Sequence, residues 1–198
     1  MKVMFRAGAL VVGMLGASAG AEPLACPAQS SENYYFRPGT FEKDDGFLRQ
    51  SYSSQLRAMK EPSMWCGKGE ESEYRFTWLR TFHHPVVVRV TIKDNIARIE
   101  AVELDGAGGY EPGKELRRMS RPLAKKDWLS IQDAMQAWSL KAPPVTVGED
   151  GSEWVFEQHT TAGYGAVAVW SPTSGPARTI GELFLAKAGI VVPSREAY

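Results

Sequence analysis

The chain has 198 residues, with 23 basic and 23 acidic side chains, three histidines and two cysteines. That length suits one hydrophobic core and leaves little room for two. The balanced charge offers no electrostatic case for a nucleic acid or an anionic membrane surface as partner.

In chain order, the first signal is an address. Lys2 and Arg6 precede an apolar run from Ala7 to Gly20, and Ala19-Gly20-Ala21 forms an A-x-A site before Glu22-Pro23. The run is too short to span a bilayer, so 1–21 reads as a cleavable signal peptide with cleavage after Ala21. The expected destination is the periplasm or the extracellular space. Losing Lys2 and Arg6 leaves 21 basic against 23 acidic residues, a net charge of −2. A lipid anchor at Cys26 is the lesser reading, because Glu22 and Pro23 interrupt the apolar run that should lead into it. In an oxidising compartment the pair Cys26 and Cys66 is expected to form a disulfide. Closing that loop contributes about 4 kcal/mol in the chain-entropy account.

Residues 22–45 show no period of 2 or 3.6 and read as an irregular arm of one domain, 22–198. Leu48, Tyr52, Leu56 and Met59 follow helical spacing from Phe47 to Met59, with Pro62 beyond as a stop. Glu73 to Phe82 alternates strictly, placing Tyr74, Phe76, Trp78, Arg80 and Phe82 on one face, which is expected to be buried. Val86 to Ile92 and Ile96 to Leu104 continue a three-strand meander through a tight reversal at Lys93-Asp94-Asn95. Residues 105–115 read as a long glycine-rich loop leading into a basic linker, its glycines chosen for positive φ. Trp128, Ile131, Met135 and Trp138 make one amphipathic stripe, and Pro143-Pro144 prevents its continuation. A hairpin follows from Glu153–His159 to Tyr164–Ser171, turning through 160–163. Ser174-Gly-Pro176 opens and Gly189 closes a last helix over about 177–188. The expected class is α+β: an antiparallel sheet of about five strands, with helices packed on one face.

Candidate site residues are few. His83, His84 and His159 are the only imidazoles. Adjacent residues on a strand point to opposite sides, and no H-E-x-x-H or C-x-x-C spacing supports zinc, so no metal or cofactor is expected. Neither G-x-S-x-G nor S-x-x-K occurs, so no catalytic residue is assigned. Paired acids such as Asp44-Asp45 sit in polar, loop-like sequence where solvated carboxylates are the default. Arg80, between Trp78 and Phe82, requires a partner if buried, as a stacked ion pair or part of an anion pocket. Tyr110 lies within the loop Asp105-Gly-Ala-Gly-Gly-Tyr-Glu-Pro-Gly, which lacks the Gly-Lys-Ser/Thr ending of a phosphate loop. Arg80, His83, His84, Tyr110 and His159 are therefore the candidates for binding.

Three blocks carry a resemblance: Glu73-Tyr-Arg-Phe-Thr-Trp-Leu-Arg-Thr-Phe-His-His-Pro, Leu104-Asp-Gly-Ala-Gly-Gly-Tyr-Glu-Pro-Gly, and Asp150-Gly-Ser-Glu-Trp-Val-Phe-Glu with Tyr164 and Val169-Trp-Ser-Pro172. Over about residues 73–189 the chain resembles a family of bacterial exported proteins with no assigned activity. The resemblance implies a bacterial source and an envelope location, and it carries no site residues. The expected function is a non-enzymatic periplasmic protein, a monomer or weak oligomer, that binds another envelope protein or ligand in the manner of an inhibitor or immunity protein. The alternative is an envelope hydrolase using His83, His84 or His159, with or without zinc.

Overall fold

The computed structural model describes residues 26–192, apart from 33, 42–43, 68–70, 142–147 and 149. The expected signal peptide and the Pro143-Pro144 stop lie outside the described residues. The elements run α1 (Asp45–Ala58), β1 (Ser72–Arg80), β2 (Val86–Lys93), β3 (Ile96–Leu104), β4 (Glu115–Leu123), α2 (Lys125–Trp138), β5 (Ser152–Thr160), β6 (Gly163–Trp170) and α3 (Gly175–Ala188).

The class is α+β, and the sheet is antiparallel with six strands in the order β4-β3-β2-β1-β5-β6. The expectation of about five strands missed β4, which lies where the basic linker was expected. Eight of its nine residues are at least partly exposed. A strand wet on both faces has no apolar alternation to reveal it. The β2–β3 turn is the tight reversal expected from Lys93-Asp94-Asn95. Lys93 pairs with Ile96 while Asp94 and Asn95 both take positive φ, the backbone of a type I′ hairpin.

Helices cover both faces of the sheet, and this corrects the one-face expectation. On one face Phe76, Trp78, Val88, Ile99, Trp154 and Phe156 pack against Trp128, Ile131 and Met135 of α2 and Ile180 and Phe184 of α3. On the other, Leu79, Val87, Val102 and Val155 meet Tyr52 and Leu56 of α1 and Tyr35, Phe36 and Phe41 of the arm. The alternation in β1 explains both. Its aromatic residues fill the first core, but Thr77 and Leu79 on the reverse are just as buried. Phe82 departs from the pattern: β1 ends at Arg80, and Phe82 turns outward, 57% exposed.

Cys26 and Cys66 form a disulfide that ties the start of the arm to the segment before β1. Asp45 fixes the entry to α1. Its carboxylate accepts from the Phe41 and Gly39 amides at 3.0 and 3.1 Å and pairs with Arg49 at 2.7 Å. Partial burial opposes the charge, but these donors outweigh it and hold the Asp45 carboxyl below its ordinary range. Among the described residues no helix is long and apolar enough to cross a membrane.

Candidate functional site

Sheet register assembles a cleft at the end of β1. Trp78, Val86, Glu103 and Arg117 are successive cross-strand partners from β1 to β4, so their side chains share one row on the α2–α3 face. Arg80 stands two residues beyond Trp78 on the same face. The cleft is about 780 Å³, within the range of small-ligand sites, and the tail of α3 from Gly189 to Val192 forms its far wall.

The floor is ordered by polar contacts. The Arg80 guanidinium lies over the Trp78 ring, 4.3 Å from its centroid, and donates from Nη2 to the His84 carbonyl at 2.9 Å. Arg80 is thus buried in the stacked arrangement its aromatic neighbours suggested. Glu103 divides its oxygens: Oε1 lies 3.2 Å from His84 Nδ1, and Oε2 lies 3.6 Å from Arg117 Nη2. Arg117 remains half-exposed above this layer.

The glycine loop holds this end of the sheet closed. The Gly108 amide donates to the His83 carbonyl at 3.0 Å, and Gln55 Nε2 of α1 donates to the carbonyls of Gly108 and Tyr110 at 3.3 and 3.2 Å. A Cβ on Gly108 would sit 2.6 Å from the Arg80 backbone nitrogen, and one on Gly109 would sit 2.9 Å from Thr81 Cα. Close approach, more than turn geometry, is what these glycines provide, since only Gly113 in this loop has positive φ. The expectation that positive φ explains the glycines of this loop holds at Gly113 and is corrected at Gly106, Gly108 and Gly109.

The structure brings together Arg80, His83 and His84 in the cleft wall. Tyr110 stands at the margin, its ring 6.1 Å from that of exposed Phe82. His159 is excluded from this group. It pairs with Glu73 at the opposite end of β1, and seven strand residues at about 3.3 Å each separate the two ends by roughly 23 Å. There its ring packs edge-on to Tyr164. The three histidines therefore do not form one site. Among the described residues no group of three or more His, Cys, Asp or Glu side chains could hold a metal ion.

Local reading missed a second constellation. Glu157, Arg75, Arg89, Glu100 and Ser120 are successive partners across five strands on the α1 face. Arg75 is fully buried and grips Glu157 through two parallel bonds of 2.7 and 2.8 Å, with Nη1 on the Pro62 carbonyl at 2.7 Å. Glu61, arriving from the loop after α1, lies 3.7 Å from Arg75 and 2.9 Å from Arg89. It thus separates two guanidiniums that the register places side by side. Arg89 also bonds Glu100 and reaches Glu73 at 3.5 Å. Burial disfavours the Arg75 charge, yet Glu157 and Glu61 outweigh it and hold that guanidinium more firmly protonated than usual. Burial raises Glu73 above the ordinary carboxyl value despite Arg89. The Arg75–Glu157 end of the row, with Glu61, is buried, whereas Arg89 and Glu100 are partly exposed and Ser120 is exposed; the buried end locks the disulfide-bearing segment onto the sheet. Its only sequence trace is charge at positions facing inward from β1, β2, β3 and β5.

An α+β fold whose antiparallel sheet carries a polar-floored cleft at one end is thus the class that fold and site define. No family model, curated protein or solved structure matches the chain.

Proposed function

We propose that this chain is a non-enzymatic binding protein of the bacterial envelope, and that the cleft at the end of β1 is its working surface. One observation carries the reading. Of the large apolar side chains left exposed among the described residues, Phe82, Leu116 and Val191 line the cleft, and Tyr110 packs beside Phe82. An apolar patch of this kind, rimmed by charge, marks a surface that another molecule covers. The polar floor of Arg80, Glu103 and Arg117 supplies orientation, and the apolar rim supplies buried area. The signal-peptide pattern and the Cys26–Cys66 disulfide support an oxidising location. The alternative, an envelope hydrolase using His83, His84 or His159, would rest on His83 and His84 at one end of β1 or on His159 at the other, since the two ends are apart.

The test is a photo-crosslinking amino acid placed at Val191 and, separately, at Phe47, which is exposed well away from the cleft. In envelope extract, discrete adducts at Val191 that disappear with Leu116→Asp, and no such adducts at Phe47, are expected. Equal labelling from both positions would sink the reading.

A further inference from the structure

One of the two edges of the sheet, the strand β4 whose Leu116 and Arg117 also line the cleft, has the character of a docking strand. We propose that β4 is extended by an acidic β-strand from a partner protein, which adds to the sheet edge in extended conformation. Among the described residues β4 is terminal in the strand order and pairs only with β3, so one row of its backbone donors and acceptors faces outward, with no donor at Pro122. Such a row is a template for a further strand, with backbone bonds giving affinity and side chains giving selectivity.

The side chains choose the sign of the partner. Arg117, Arg118 and Arg121 lie on β4 against a single acid, Glu115, and exposed Arg98 is the β3 partner of Pro122. Glu115 is engaged by Arg118 at 3.0 Å and Arg117 lies 3.6 Å from Glu103 of β3, so Arg98 and Arg121 carry the selectivity. Arg98 is bonded to the Ser120 hydroxyl at 2.9 Å and Arg121 to the Lys187 carbonyl at 2.6 Å, neutral acceptors that leave both charges standing. The same arginines disfavour a second copy of this chain. Antiparallel self-pairing centred on Met119 would set Arg117 opposite Arg121 twice, and like charges directly opposed across strands are destabilising. Pro122 and the arginines guard the edge against apolar strands and leave it complementary to an acidic one.

The probe is an N-acetylated nonapeptide alternating Glu and Val, compared with its Lys/Val counterpart. The purified protein is expected to bind the Glu/Val peptide saturably and more weakly as salt rises. Amide exchange should slow within 115–123, and the Lys/Val peptide should bind at least tenfold more weakly. Arg98→Glu/Arg121→Glu, with folding checked by circular dichroism, should lose the Glu/Val peptide at least tenfold and gain the Lys/Val one. Should that variant not fold, Arg98→Gln/Arg121→Gln must still weaken Glu/Val binding, and retention of full affinity overturns the proposal. Binding of neither peptide, equal binding of both, or exchange protection in β6 in place of β4 also overturns it. Crosslinking from Val191, which lies in the tail of α3 outside β4, reads the cleft, whereas peptide binding with exchange protection at 115–123 and its loss in the Arg98/Arg121 variants reads the edge, so the two readings fail separately.

Discussion

Replacing Arg75 with Met should be among the most damaging single changes in this chain, and the damage should exceed that of removing its partner. Arg75→Met leaves Glu157, which is fully buried, with only the Tyr164 hydroxyl at 3.0 Å. It also raises the excess of carboxylates over guanidiniums in the row that includes Glu61, Glu73 and Glu100. Glu157→Leu leaves Arg75 with Glu61 at 3.7 Å and the Pro62 carbonyl. Breaking a buried pair costs about 3–5 kcal/mol, so Arg75→Met belongs near the top of that range and Glu157→Leu near the bottom. With a urea slope of about 2 kcal/mol/M, a loss of about 4 kcal/mol moves the unfolding midpoint down by about 2 M. The double variant Arg75→Met/Glu157→Leu should lose clearly less than the sum of the singles, because neither charge is then stranded. Urea titrations of the four proteins measure all of this. Single losses below about 1 kcal/mol, or additive ones, would refute the claim that the row is a buried, coupled network.

Glu153 on β5 is raised by burial to about 7, with the Tyr52 hydroxyl beside it only partly offsetting the shift. Between the ordinary 4.5 and about 7 the folded chain holds a proton that the unfolded chain has released. Stability from this group therefore falls as pH rises through that window, by about 3 kcal/mol at most. Thermal melts of Glu153→Gln should lack this slope and exceed the native protein at pH 8; parallel profiles would disprove it. Gly108→Ala should push the glycine loop off β1, with amide exchange rising at 105–113 and a loss of about 1–3 kcal/mol typical of overpacking. Unchanged exchange would show that the close approach is not needed. Cys26→Ser/Cys66→Ser opens a link across 40 positions and should cost about 4 kcal/mol, read as a lowered urea midpoint without a reductant effect.

Much of the scaffold was legible because its signals are local. The alternation from Glu73 announced β1, and the 128–138 stripe announced α2. Asp94-Asn95 announced a hairpin, and Ser174, Pro176 and Gly189 bracketed α3, whose last residue is capped by Gly189 at φ 70°. The even cysteine count announced the disulfide. Phe82 was misplaced because strict alternation continues past the point where the chain stops pairing, and periodicity cannot see a strand end. β4 was hidden for the opposite reason: an edge strand exposed on both faces needs no apolar pattern.

For the candidate site, residue chemistry singled out Arg80, His83 and His84, but only register could add Glu103 and Arg117, which reach the cleft as cross-strand partners of Val86 and of each other. His159 carried the same chemistry and was taken away from it by the antiparallel pairing of β5 with β1. The sequence by itself determined the kinds of element, most of their ends, the covalent staple and which side chains of each strand lie together. The tertiary structure alone decided which strands adjoin, that helices cover both faces, and that Arg75 meets Glu157 from 82 positions away. The physical reason is that periodicity reports on a residue's near neighbours along the chain, whereas a cleft and a buried charge row are made by neighbours across it.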